Sequence, residues 1–245
     1  MRIEDVAAIA GKDLRAAWTR KGIRYGLSIF PLLSALSLPF VVRLVINERP
    51  DVAPTVVEDL LRSFLFFFMI AVSSLPTAIA SYALIGEKVE RSLEPLLATP
   101  ISVGSVLLGK MIAAVLPTLI AVWVASSVFM LLANREAASL LHQSYFPRAE
   151  TWILLLALMP AAALLTVNID ILISARVADV RSAQQIAGLV VLPVSGIYVA
   201  AQLGSVQLDS AVLWIMTAAV LALDAITLWA ATRVFDREEI LIRWG

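Results

Sequence analysis

The chain has 245 residues, 60% of them apolar, 16% charged and none cysteine, with a mean hydropathy of +0.90. Soluble domains carry about 25% charged and about 45–50% apolar residues, so this composition argues against a water-soluble enzyme. Nineteen basic residues balance nineteen acidic ones, which removes the electrostatic footprint of a nucleic-acid binder. The lack of cysteine excludes disulfides, thiolate metal sites and thiol catalysis, and a single histidine, His142, excludes imidazole clusters and triads.

Residues 1–24 open the chain with helical periodicity. Ile3, Val6, Ala7, Ala10, Leu14, Ala17 and Trp18 line one stripe, and Glu4, Asp5, Lys12, Asp13, Arg15 and Arg20 form the opposite face. The acidic residues among the bases do not fit a cleaved signal peptide. The pattern predicts a helix lying flat in the headgroup layer, with Gly22 allowing the turn into the membrane.

Six apolar runs follow, each near the length of about 20 residues that a membrane-crossing helix needs. They cover Tyr25 to Ile46, Leu61 to Ile85, Gly104 to Ala133, Trp152 to Ser174, Gln184 to Leu203 and Ala211 to Val234. The third is long enough to tilt or to extend beyond the bilayer. With the N-terminus inside, five basic residues lie outside: Arg43, Arg49, Arg62, Arg135 and Arg148. The other fourteen of nineteen lie inside, and the positive-inside bias therefore puts both termini in the cytoplasm. The expected fold is all-α: one transmembrane domain spanning 1–245, with a six-span bundle over 25–234 and a cytoplasmic tail over 235–245. Tyr25, Tyr82, Trp152, Trp214 and Trp229 suit interfacial anchoring near span ends.

The inner segment between spans two and three carries the most chemistry. Val89, Leu93, Leu96 and Leu97 share a ridge beside Glu87, Glu90, Arg91 and Glu94, which predicts a short cytoplasmic helix. Pro95 is tolerated if Ser92 caps a new turn, because proline in a first turn lacks only an N–H that has no helical partner there. Thr99 before Pro100 favours an extended exit, and Ser102 is placed to cap the next span.

The run Glu90-Arg-Ser-Leu-Glu-Pro-Leu-Leu-Ala-Thr-Pro-Ile-Ser, followed by Leu107-Leu-Gly-Lys110, resembles the signature of membrane subunits of type-2 ABC exporters. The tail Val234-Phe-Asp-Arg-Glu-Glu-Ile-Leu is similar to the ending of the same family. The resemblance implies a dimer of permeases in the cell membrane, a homodimer being expected, each copy engaging a separate ATP-binding subunit that holds ATP and magnesium. It further implies that Glu87, Glu90, Arg91, Leu93, Glu94, Leu96 and Leu97 form the coupling helix that receives the ATP-driven stroke. Membrane lipid and the ATPase are the expected partners, and no cofactor is expected on this chain.

Gly104-Ser-Val-Leu-Leu-Gly-Lys-Met has the shape of a phosphate-binding loop but lacks the hydroxyl residue that holds magnesium, since Met111 follows Lys110. Lys110 reads instead as a side chain snorkelling to the inner surface. Asp170 near the inner end of span four, and Asp224 about halfway through span six, are intramembrane carboxylates. Such groups are costly and serve either transport or packing. Arg176 is a candidate partner for Asp170, and both acids stand as a possible substrate pathway. The rival function is an ion- or proton-coupled secondary transporter working through Asp170 and Asp224, although no internal repeat relates the two halves. Prolines in five spans are compatible with kinks without specifying a function. Outside, Glu48, Asp51, Glu58 and Asp59 read as a solvated acidic patch, and Ser144-Tyr-Phe and His142 lack companions for chemistry.

Overall fold

The computed structural model describes residues 3–49, 51–89, 103–174, 176–177 and 179–234. Among them the ordered elements are all helical. An N-terminal helix, α1 (Ile3–Thr19), is followed by α2 (Lys21–Glu48), α3 (Pro54–Val89), α4 (Val103–Leu141), α5 (Ala149–Ser174), α6 (Val180–Gln202) and α7 (Ser210–Val234). The last six are long and apolar enough to cross a membrane and coincide with the six runs of the sequence. At 1.5 Å per residue, the 39 residues of α4 extend about 58 Å, so this helix projects beyond a hydrocarbon core of about 30 Å.

The packing centre is formed by α3, α4 and α5. In the most apolar stretches of α3 and α5, 72% and 61% of residues are buried, against 11% in each of α6 and α7. Phe66, Phe68 and Met69 of α3 meet Phe129 of α4 and Leu158 and Met159 of α5 in one core. In lipid, apolar burial releases no water, so close contact between backbones and interhelical hydrogen bonds must hold such a bundle. The alanines at Ala113 and Ala114 of α4 and Ala161 to Ala163 of α5 are buried, as close packing requires.

Two helices depart from regular geometry for readable reasons. A π segment, Leu154–Leu158, interrupts α5, and Met159 N donates to Leu154 O instead of to Leu155 O. The next donor in π register would be Pro160, which has no N–H. The indole Nε1 of Trp123 on α4 donates to Leu155 O at 2.9 Å and fills that place. The fifth crossing is broken by a turn at 189–190, between Val180–Gly188 and Val191–Gln202. Its start is capped by Asp179, whose carboxylate accepts from Ser182 N and Ser182 Oγ, both at 2.9 Å. Those hydrogen bonds hold the Asp179 carboxyl below the usual carboxylate range.

At the end of α4 far from α1, the loop between α4 and α5 is tied down rather than loose. Asn134 Oδ1 accepts from Tyr145 N and Phe146 N at 3.0 and 2.9 Å, while its Nδ2 donates to Phe146 O at 2.9 Å. Tyr145 and Phe146 are consequently buried, Phe146 against Phe129 and Tyr145 against Phe146. The acidic patch expected here to be solvated is partly neutralised: Glu58 pairs with Arg148 at 3.5 Å and Asp59 with Arg62 at 3.8 Å. Arg148 also lies over the Tyr145 ring at 4.1 Å. Burial pushes the Tyr145 phenol above its ordinary value, against the opposing pull of Arg62 and Arg148.

Candidate functional site

Two groups of residues were singled out by sequence as functional, and the first is the segment between α3 and α4. Glu87 falls in the last turn of α3. Glu90, Arg91, Leu93, Glu94, Leu96 and Leu97 lie outside the described residues, as does the tail 235–245. What is described is the frame on both sides of that segment, and the frame is built by α1.

On the exit side, α1 packs on the first turns of α4. A β-carbon placed on Gly109 would lie 2.8 Å from Ile9 Cβ and Cγ2 and 3.1 Å from Val6 O, so the two helices approach as closely as a glycine allows. One residue on, Lys110 Nζ sits 3.3 Å from Asp13 Oδ2, with both side chains buried. Lys110 is 1% exposed, so the expected snorkelling conformation is corrected: its ammonium turns inward because Asp13 supplies a counter-charge there. Lys12 lies 3.6 Å from the other oxygen of the same carboxylate. Asp13 is thus part of the packed face, not of the solvated one the periodicity suggested. The buried residues of α1 are Ile9, Asp13 and Ala17, whose mean direction is about a quarter turn from the centre of the apolar stripe, with Ala17 at its edge. Ile3 and Trp18, on that stripe, stay exposed, as an interfacial helix requires.

On the entry side, the residue joining α1 to α2 makes the contact. The Arg20 guanidinium lies 4.0 Å above the ring of Tyr82, five positions before Glu87 on α3. The N-terminal helix and its exit turn therefore touch both flanks of the segment 90–102, through Tyr82 before it and Gly109 with Lys110 after it.

The second group is the pair of intramembrane acids. Asp170 is fully buried and accepts from Ser81 Oγ of α3 at 2.7 Å. Arg176, the partner expected from sequence, is exposed. Asp224, 9% exposed, accepts at Oδ1 from Asn168 Nδ2 of α5 at 2.9 Å. The acids therefore serve two different contacts, α3 to α5 and α5 to α7, and both contacts radiate from one short stretch of α5. Asp170 Oδ2, Asn168 Oδ1 and Asp224 Oδ2 have no hydrogen-bond partner among the described residues. Buried polar groups of this kind lock helices together or greet a passing donor.

A family model described as ABC-2 family transporter protein matches residues 24–220. The chain belongs to that family. It is accordingly the membrane component of an ABC transporter, a multi-pass permease for which the family implies an ATP-binding partner subunit. No curated protein matches it. The match begins after α1 and ends within α7, so the clamping helix of this permease precedes the matched region.

Sequence reasoning missed Ile9, Asn134 and the Asp13–Lys110 pair. Gly109 and Lys110 were visible as part of a motif, but nothing local announced that their partners lie in the first seventeen residues. Asn134 carried a weaker signal, an amide near the end of a long apolar run, placed to serve a loop.

Proposed function

We propose that this permease is the membrane half of an ATP-driven exporter. It would work as a homodimer in the cytoplasmic membrane with both termini inside and with two ATP-binding subunits that carry ATP and magnesium. The segment Glu87 to Leu97 is the lever that those subunits push. The observation that supports this reading is the frame around the lever: Arg20 on Tyr82 at its entry, Ile9 on Gly109 and Asp13 on Lys110 at its exit. A stroke delivered between those points moves α3, α4 and α1 together, because packed contacts transmit displacement where a loose loop would absorb it. Family membership favours this mechanism over the ion-coupled carrier. In the ATP-driven reading Asp170 and Asp224 are packing or pathway groups, not coupling sites.

The test is to affinity-purify the tagged permease from its native membranes in mild detergent. An ATP-hydrolysing subunit should arrive in equal amount, and its hydrolysis should respond to reconstitution with the permease. Replacing Leu93 and Leu97 with aspartate should abolish that association while the permease still inserts and elutes as a single species. Full recovery of the ATPase with the double variant would overturn the lever, and transport driven by a proton gradient without any ATPase would overturn the proposal as a whole.

A further inference from the structure

We infer that the permease holds an anionic glycerophospholipid in a groove beneath its N-terminal helix, with one acyl chain between α2 and α4 and the phosphate at Arg15. The groove has a volume of about 710 Å³, within the range of about 300–1,000 Å³ typical of small-ligand sites. Leu14, Arg15, Trp18 and Thr19 of α1 form one end, Leu27 to Leu32 one wall, and Leu116 to Val124 the other.

The composition of the groove changes with depth as a lipid does. Arg15 is exposed and has neither hydrogen bond nor ion pair among the described residues. Its planar guanidinium suits a phosphate, and Trp18, 53% exposed, is a side chain that favours the headgroup level. Away from α1 the lining is aliphatic apart from Ser28. Leu116 and Val124 lie six and fourteen residues beyond Lys110, about 9 and 21 Å along α4. With about 15 Å of hydrocarbon in each leaflet, this stretch, measured from Lys110, starts within the near leaflet and ends just past the midplane.

A hydrocarbon chain suits a groove closed at one end by α1 and walled by aliphatic side chains of α2 and α4. Leu116, Ile120 and Val124 are each about half exposed, one above the other on α4, and offer that chain an unbroken aliphatic rail. The inference depends on α1 lying at the headgroup level, not on the direction of transport or on the ATPase.

The test uses the full chain reconstituted in phosphatidylcholine bilayers doped with phosphatidylglycerol, extracted gently and weighed by native mass spectrometry. The parent chain should retain one phosphatidylglycerol, enriched about fivefold over its share of the bilayer, as one arginine at an anionic surface allows. Arg15→Gln, an exposed change with no packing role, should reduce retention to the bilayer ratio. Ile120→Trp should fill the rail and release phosphatidylcholine as well. Retention at the bilayer ratio by the parent chain, or undiminished enrichment in Arg15→Gln, would overturn the proposal. So would a disulfide between copies through Ile120→Cys, installed in a chain that has no other cysteine, since the groove would then be a protein interface.

Discussion

Asp13 and Lys110 stand 97 positions apart and are buried beside each other, with Lys12 on the second oxygen of the carboxylate. Removing one member of a buried pair typically costs about 3–5 kcal/mol because the remaining charge stays buried and uncompensated, while removing both in favour of apolar groups is far milder. Lys110→Met alone should therefore detach α1 and lower the thermal transition of the purified permease sharply. The double variant Asp13→Leu with Lys110→Met should recover most of the loss. Intrinsic fluorescence during heating in detergent would follow both, and equal destabilisation by the single and double variants would show that the pair does not anchor α1. The same pair explains a limit of sequence reading. Periodicity correctly gives a helix over the first twenty residues, but a hydropathy pattern assigns Asp13 to water. Only a counter-charge from another helix reverses that assignment. The acids Asp170 and Asp224 divide in the same way. Their cost in a membrane made them visible, whereas their partners Ser81 and Asn168 are small uncharged residues whose role depends on which helices become neighbours.

At the scale of elements, the six crossings were readable because nothing except burial in lipid or core explains such long uncharged runs. Their internal irregularities were not. Proline counts alone gave no function, yet Pro160 has a definite consequence: it withholds a hydrogen bond from Leu155 O, and Trp123 of the neighbouring helix supplies it. This makes a local defect of α5 into a bond between α4 and α5. Trp123→Phe should leave that carbonyl unpartnered and cost about 1–3 kcal/mol. In a Pro160→Ala background the backbone regains its own donor, so the same change should cost clearly less. Thermal midpoints of the four chains would decide the matter, since purely additive losses would mean that the indole and the proline are independent. The acidic patch teaches a similar lesson. Its charged residues looked like a solvated patch because Glu58 and Arg148 are 90 positions apart, and their pairing depends on α3 and α5 being neighbours.

The whole molecule is lopsided, with its core on α3 to α5 and little of α6 or α7 covered. On α6, the residues Leu192, Gly196, Val199 and Leu203 follow one another at helical spacing along a single exposed face. A β-carbon on Gly196 would meet nothing within 4 Å, so the face is open at its middle. A glycine on an open helix face lets a second membrane helix approach closely at that point. If the permease pairs with a second copy, this open face of α6 offers a seam for it. Single cysteines at Leu192 and Val199 should then form disulfides between copies under mild oxidation in native membranes, and Gly196→Leu should suppress them. A cysteine at Leu131 on α4, which is 73% exposed, provides the comparison, because it should stay monomeric under the same treatment. Equal cross-linking at Leu131 would point to random collision. Its absence at both α6 positions would move the seam elsewhere or leave the permease single, and in that event the translocation path between two copies would have to be abandoned.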